Sequence, residues 1–73
     1  MALLKEQEAL CLELGLRGSL GYCYWNWGLV ARAHGDGVAE RTKLQAALDI
    51  FTELQMSRER DAVAAEIATR ASS

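Results

Sequence analysis

The chain has 73 residues, about half of them apolar and a quarter charged, with a formal net charge of −2 at pH 7. This length fits one small domain over residues 1–73, and the weak net charge gives no electrostatic basis for binding nucleic acid or an anionic membrane. Proline is absent and helix-forming residues dominate, so the composition predicts an all-α domain. No stretch approaches the roughly 20 apolar residues of a membrane span. Two cysteines are too few for a secreted disulfide scaffold, which favours a cytoplasmic protein.

The N-terminal segment has apolar residues at helical spacing, which predicts a first helix over about residues 2–14. Its main stripe consists of Leu3, Gln7, Leu10 and Leu14. Gly15 follows directly, and glycine adopts the left-handed conformation of a helix C-cap at the least cost. The chain is therefore expected to turn just after residue 14.

A second helix is predicted over about residues 19–34, with Ser19, or a residue just before it, as the candidate N-cap. It carries large groups on two sides. One side consists of Leu20, Tyr24, Trp27, Ala31 and His34, and the other of Tyr22, Trp25, Leu29 and Arg32. Gly21 and Gly28 lie seven residues apart, on nearly the same side. Each costs about 1 kcal/mol relative to alanine in a helix, so together they predict that the backbone of a neighbouring helix approaches closely.

The Gly35-Asp36-Gly37 sequence predicts a break, with Asp36 capping a third helix over about residues 37–54. The apolar stripe of this helix includes Glu40, Leu44, Ala47, Phe51 and Leu54. Ser57 is predicted to cap a fourth helix over about residues 58–71. Its apolar side consists of Arg60, Val63, Ala64, Ile67 and Ala71.

The chain also matches itself at an offset of 40 residues. Leu4 aligns with Leu44, Leu10 with Ile50, Leu14 with Leu54 and Cys23 with Val63. The first helix therefore corresponds to the third, and the second to the fourth. A period between 20 and 50 residues is typical of stacked helical repeats.

The segments NWGLVARAHGD (26–36) and LQAALDIFTEL (44–54) resemble a tetratricopeptide repeat (TPR) in its longer bacterial form of about 40 residues. Three positions depart from the family pattern: Ala31 replaces a tyrosine, Gly37 an aromatic residue and Glu40 an alanine. The resemblance implies antiparallel helical hairpins stacked as an α-solenoid fragment. The chain would comprise one complete repeat flanked by a single helix on each side, as at the C-terminal end of a longer array.

The resemblance also implies a binding face on the second helix. It places Tyr22, Trp25, Leu29 and Arg32 toward the concave groove, with Asn26 at a position that often contacts peptide backbones in the family. Tyrosine, tryptophan and arginine are enriched where binding energy concentrates. The alternative is that these residues pack against another helix, either in this chain or in a partner copy.

Self-association is a second expectation, because a solenoid usually needs about three repeats to bury its apolar faces. Leu3, Leu4 and Leu10 would be exposed in an isolated monomer, and they are predicted, together with Trp25, to form contacts between chains. A homodimer is favoured because two-fold pairing is the commonest solution.

No pattern in the sequence indicates catalysis. His34 is predicted to be solvated or to cap a helix end, and no CxxC or HxxxH spacing indicates a metal site. No phosphate-binding loop or glycine-framed nucleophile occurs. We therefore expect no enzyme activity, no metal and no cofactor. The sequence predicts a protein–protein interaction module that binds a peptide or helix through its concave face, and the alternative is a self-assembling structural unit without an external ligand.

Overall fold

A computed structural model describes the backbone of residues 2–72 and the side chains of residues 4–69. This part of the chain contains four α-helices and no strands: α1 (Ala2–Leu14), α2 (Arg17–Ala33), α3 (Gly37–Glu53) and α4 (Ser57–Ser72). The predicted all-α class and the four predicted helices are confirmed, with bounds within two residues of those expected. None of the described helices is both long and apolar enough to cross a membrane.

The three turns between the helices share one backbone geometry. Each contains one residue in the left-handed region, namely Gly15 (φ 70°), Gly35 (φ 75°) and Gln55 (φ 59°). In each turn the amide of the following residue donates to the carbonyl oxygen five residues earlier, at 2.9 Å. This is the Schellman arrangement. The predicted cap at Gly15 is confirmed, and Gln55 adopts the same conformation at a cost of roughly 1 kcal/mol or more.

The helix starts agree with only one of the three predicted caps. The carboxylate of Asp36 accepts a hydrogen bond from the amide of Ala39 at 3.0 Å, as expected. The prediction of Ser19 is wrong, because α2 begins at Arg17 with Leu16 as an N-cap that makes no side-chain bond. The tight turn at Gly15 leaves the chain already helical by Arg17. Ser57 is the first residue of α4 and so does not precede the helix.

Helices that follow one another in the chain pack against each other, and the α2–α3 pair makes the largest contact. The buried apolar side chains belong mostly to this pair, with one from α4: Leu20, Cys23, Trp27, Ala31, Leu44, Ala47, Ile50, Phe51 and Val63. Several residues predicted on apolar stripes are exposed instead, and they occur in all four helices or at their ends: Gln7, Leu10, Leu14, Tyr22, His34, Leu54, Arg60 and Ala64. His34 and Leu54 are the C-caps of α2 and α3. The side chain of Ala71 lies outside the described residues.

The two glycines inside α2 mark where α3 approaches. A Cβ atom on Gly21 would lie 2.7 Å from Cε1 of Phe51. A Cβ atom on Gly28 would lie 2.7 Å from Cγ of Leu44 and 3.3 Å from the carbonyl oxygen of Glu40. The predicted close approach is therefore confirmed, although side chains of α3 fill most of the space and its backbone comes near only at Gly28.

Replacing Gly28 with alanine is expected to destabilise the fold by about 1–3 kcal/mol, because the added methyl group overpacks the α2–α3 contact. The matched control is Gly18→Ala in the same helix, where a Cβ meets nothing within 4 Å. That change should be neutral or stabilise by up to about 1 kcal/mol. Urea denaturation followed by circular dichroism measures both. Equal or greater stability of Gly28→Ala would contradict this account of the contact.

Candidate protein-interaction site

The five residues predicted to bind a partner lie on α2 but differ in accessibility. Tyr22 is 42% exposed, and Asn26 is also exposed. Trp25, Leu29 and Arg32 are partly buried. The contacts of each side chain show which of them have free surface to offer a partner.

Tyr22 and Trp25 stack on each other with ring centroids 5.9 Å apart and their planes inclined by 22°. Both meet Phe51 of α3 edge to face, at centroid distances of 5.2 and 6.1 Å. The Tyr22 hydroxyl donates to a carboxylate oxygen of Glu59 in α4 at 2.8 Å, and this bond raises the pKa of Tyr22. The aromatic pair therefore connects α2, α3 and α4. The Trp25 Nε1 atom is buried without a hydrogen-bond partner among the described residues.

Arg32 is held by two carboxylates. Its Nε donates to Glu40 of α3 and its Nη1 to Glu66 of α4, each at 2.7 Å. The hydrogen bond to Glu40, followed by the one to Glu66, raises the pKa of the guanidinium. Glu40 is only 1% exposed. A carboxylate this buried requires a paired charge, so Arg32 explains how glutamate occupies a position where the family resemblance implies alanine.

These contacts divide the predicted binding residues into two groups. Trp25, Leu29 and Arg32 are partly buried, and contacts of Trp25 and Arg32 join helices. Tyr22 and Asn26 keep exposed surface, although Tyr22 also contacts Phe51 and Glu59.

The sequence analysis missed the role of Arg32. The sequence spacing could have indicated its ion pair with Glu40. Arg32 lies in the last turn of α2 and Glu40 in the first turn of α3. A tight turn between two helices brings these positions close together.

Tyr22 and Asn26 also line a groove between α1 and α2 with a volume of about 320 Å³. Its walls are largely apolar and come from both helices and the turn between them: Gln7, Leu10, Cys11, Leu16, Ser19, Tyr22, Cys23 and Asn26. At the α1–α2 contact the Cys23 thiol donates to the carbonyl oxygen of Leu4 at 3.4 Å. Burial raises the pKa of this thiol. The groove thus combines residues of the predicted binding face with Leu10 from the predicted self-association set.

The residues predicted to mediate self-association have different positions in the structure. The side chain of Leu3 lies outside the described residues. Leu4 and Trp25 are partly buried within the chain, whereas Leu10 is 56% exposed. Further exposed leucines follow Leu10 along the same segment at positions 12, 14 and 16. The open apolar surface is therefore concentrated on the C-terminal half of α1 and the first turn.

A second cluster that the sequence analysis missed joins α1, α2 and α3. The ammonium group of Lys43 lies 3.9 Å from the centroid of the Trp27 ring and 5.1 Å from that of Tyr24. The Tyr24 hydroxyl donates to the carboxylate of Glu8. Burial, together with this hydrogen bond, raises the pKa of Tyr24 to about 12. Cation–π contacts such as these add to the packing of the three helices.

The described residues contain no group of three or more histidine, cysteine or acidic side chains arranged to hold a metal ion. His34 is exposed at the C-cap of α2.

Comparisons of this chain with protein-family models, with curated proteins and with solved structures gave no match.

Replacing Arg32 with methionine is expected to destabilise the fold by about 2–3 kcal/mol, because the buried Glu40 carboxylate loses its guanidinium partner. Arg17→Met is the matched control. It also removes a 2.7 Å ion pair, but both partners, Arg17 and Glu53, are substantially exposed, so less than about 1 kcal/mol should be lost. Chemical denaturation gives both values.

The double variant Arg32→Met/Glu40→Met tests the cause of that loss. Removing both charges should recover much of the stability, because an apolar pair has no charge to desolvate. If Arg32→Met costs no more than Arg17→Met, the guanidinium does not stabilise the buried carboxylate.

Proposed function

We propose that this chain is a protein–protein interaction module of TPR type, which binds a peptide or helix of another protein at the α2 face. The observation that carries the proposal is the open, largely apolar groove of about 320 Å³ that joins this face to α1. An amphipathic helix binds by placing its apolar face in a hydrophobic groove of its partner, and polar groups beside the groove can fix its orientation. Ser19 and Asn26 supply such groups here.

The stacked-hairpin arrangement of the TPR family is part of this proposal. The three turns repeat one geometry at residues 15, 35 and 55. The alternate helices α2 and α4 also meet, through the Tyr22–Glu59 and Arg32–Glu66 contacts. The described backbone is only 13 Å deep along its shortest axis. The three similar turns and the thin layer of helices are both features of stacked helical hairpins. They support the proposed arrangement.

The binding residues of the proposal have separate roles. Trp25 and Arg32 act as positioning residues, since their contacts with α3 and α4 hold α2 in place. Tyr22, Asn26 and Leu29 are the residues that meet the partner. A rigid aromatic side chain costs little conformational entropy on binding, and the stacking of Tyr22 on Trp25 already fixes its ring.

A display selection of random peptides against the full chain tests the proposal. Selected peptides should bind at least about fivefold more weakly to the Asn26→Ala variant, because the groove loses its amide. The control is Gln45→Ala, which removes an exposed amide from α3 that donates to Asp49 in the next turn and does not line the groove. Binding to this variant should not change. Failure to select any peptide, or selection only of peptides indifferent to Asn26, would contradict the proposed site.

The second candidate function is the self-assembling structural unit, favoured by the exposed leucines 10, 12, 14 and 16. Leu10 and Leu14 lie four residues apart on one side of α1, and exposed apolar surface of this kind marks an interaction site. Light scattering coupled to size-exclusion chromatography, over a hundredfold range of concentration, decides between the candidates. A dimer at all concentrations supports self-assembly, whereas a persistent monomer supports recognition of an external partner.

A further inference from the structure

The two cysteines of the chain lie on different helices but in the wall of one groove. Cys11 of α1 and Cys23 of α2 both line the cavity between these helices. Both are free thiols, with Cys11 partly buried and Cys23 buried. The proposed interaction function uses neither thiol. Two thiols that face one cavity from adjacent helices are candidates for a disulfide, which requires the two residues to approach closely.

The contact of Cys23 with α1 shows how near the two thiols are. The Cys23 thiol donates to the carbonyl oxygen of Leu4 at 3.4 Å. In a helix this oxygen points along the axis toward the amide four residues later, which belongs to Glu8. Cys11 lies three residues beyond Glu8, about 4.5 Å along the axis, and its side chain points back toward the N-terminus. Cys11 is also on nearly the same side of α1 as Leu4, so the two sulfur atoms lie about one helical turn apart.

Two further observations agree with this placement. Burial, followed by the charge of an ionised Cys11, raises the pKa of the Cys23 thiol. Such a charge acts on another group only at short range. The positions 40 residues farther along the chain are Phe51 and Val63, and these two side chains are buried in one core cluster. The aligned positions of the other hairpin therefore also lie together.

The first helix is the element that a bond between these thiols would affect most. None of the described side chains of α1 is buried. Its hydrogen bonds to α2 come from the Tyr24 hydroxyl, which donates to Glu8, and from the Cys23 thiol, which is a weak donor. A helix with so few buried contacts opens at low cost in free energy. In the reduced protein we therefore expect α1 to open more often than α2 or α3.

We propose that Cys11 and Cys23 form a reversible disulfide when the protein meets a peroxide, and that this bond fixes α1 to α2. Because α1 supplies one wall of the groove, the oxidation state of the two thiols determines how firmly that wall is held. A cross-link of this kind acts by removing the open conformations of the segment that it closes. The inference stands apart from the proposed interaction function, because its test measures covalent chemistry and helix opening without any partner.

The reaction proceeds in two steps, and exposure assigns the order. Cys11 is the more accessible thiol and reacts first. Its thiolate sulfur attacks one oxygen of hydrogen peroxide, the O–O bond breaks, and the products are a sulfenic acid and hydroxide, which takes up the thiol proton to form water. The Cys23 sulfur then displaces hydroxide from the Cys11 sulfur, and the Cys23 proton leaves with it as a second water. The two thiols lose two electrons, which reduce the peroxide.

The bond requires the two sulfur atoms to move to a separation of about 2 Å. Rotation of the Cys23 side chain away from Leu4 breaks only the weak thiol hydrogen bond. A shift of α1 toward α2 completes the approach, and no buried side chain among the described residues of α1 resists it.

The first measurement is of disulfide formation in the full chain. The reduced protein, at a low concentration that disfavours reaction between chains, is treated with an equimolar amount of hydrogen peroxide, and the remaining thiols are blocked. The intact mass should show the loss of two hydrogen atoms. Trypsin cleaves after Arg17, which separates the two cysteines into peptides of residues 6–17 and 18–32. These peptides should be recovered as one linked species that dithiothreitol separates.

The matched control moves one thiol by a single position. In the double variant Cys11→Ser/Leu12→Cys, the thiol lies about 100° farther around α1. Position 12 is 59% exposed and does not line the groove. The intramolecular disulfide should therefore form at least about tenfold more slowly than in the unchanged protein. Because position 12 is exposed, circular dichroism should show the same helicity for both proteins.

Hydrogen exchange measures the consequence for α1. In the oxidised protein the amides of residues 8–14 should exchange at least about tenfold more slowly than in the reduced protein, because the bond prevents α1 from opening. The amides of residues 44–51 in α3 should change less than about twofold, since the bond does not involve that helix. Dithiothreitol should restore the original rates. The Cys11→Ser variant, treated with the same peroxide, should show no change in either segment.

The inference is overturned if the linked peptides do not form, or if the main products are disulfides between chains or further oxidised cysteine acids. It is also overturned if the relocated thiol reacts as fast as Cys11, or if α1 exchanges equally in the oxidised and reduced proteins. The selection of random peptides against the reduced chain remains a separate test of the interaction function, and its result does not depend on these outcomes.

Discussion

The insertion of α3 side chains against the glycine positions of α2 is the contact on which the other helices depend. Gly21 leaves room for the Phe51 ring, and the ring then lies at the junction of three helices, where it meets Tyr22 and Trp25. Tyr22, which packs on this ring, also donates to Glu59 of α4, so the same cluster reaches the fourth helix. A protein of this length has a small core. The α2–α3 contact contains most of its buried side chains, so the positions of the other helices depend on it.

At the end of α2 and the start of α3, an ion pair joins the two helices. Arg32 joins the end of α2 to Glu40 at the start of α3 and to Glu66 of α4. The Glu40 carboxylate is buried, whereas the Arg32 guanidinium and the Glu66 carboxylate are 31% and 36% exposed. Desolvation of Glu40 offsets much of its attraction to Arg32, so the net gain in stability over an apolar pair is small. The contact between Arg32 and Glu66 fixes which turn of α4 meets the end of α2.

The helices and the buried glycines could be predicted because each is a local or periodic property of the sequence. The left-handed caps at Gly15 and Gly35 follow from the same local chemistry. Gln55 could not be predicted, since the conformation of glutamine there is imposed by α3 and α4 and not by its own preference. The partners of Arg32 depend on how three helices meet in space. The groove beside Leu10 likewise forms only where α1 packs against α2. The sequence analysis named several of its lining residues but did not show that they lie together.

The identical turns at residues 15, 35 and 55 have an evolutionary consequence. A block of 40 residues such as 17–56 begins directly after one of these turns and ends with another. If this block were copied in tandem, each new junction would have the backbone geometry that the chain already uses. No new type of loop would be needed. The glycines and aromatic residues of the copied α2 would pack against the copied α3 as they do in the original. Duplication would therefore supply the turns of a longer array, and substitutions would be needed only where a former end becomes an interior face.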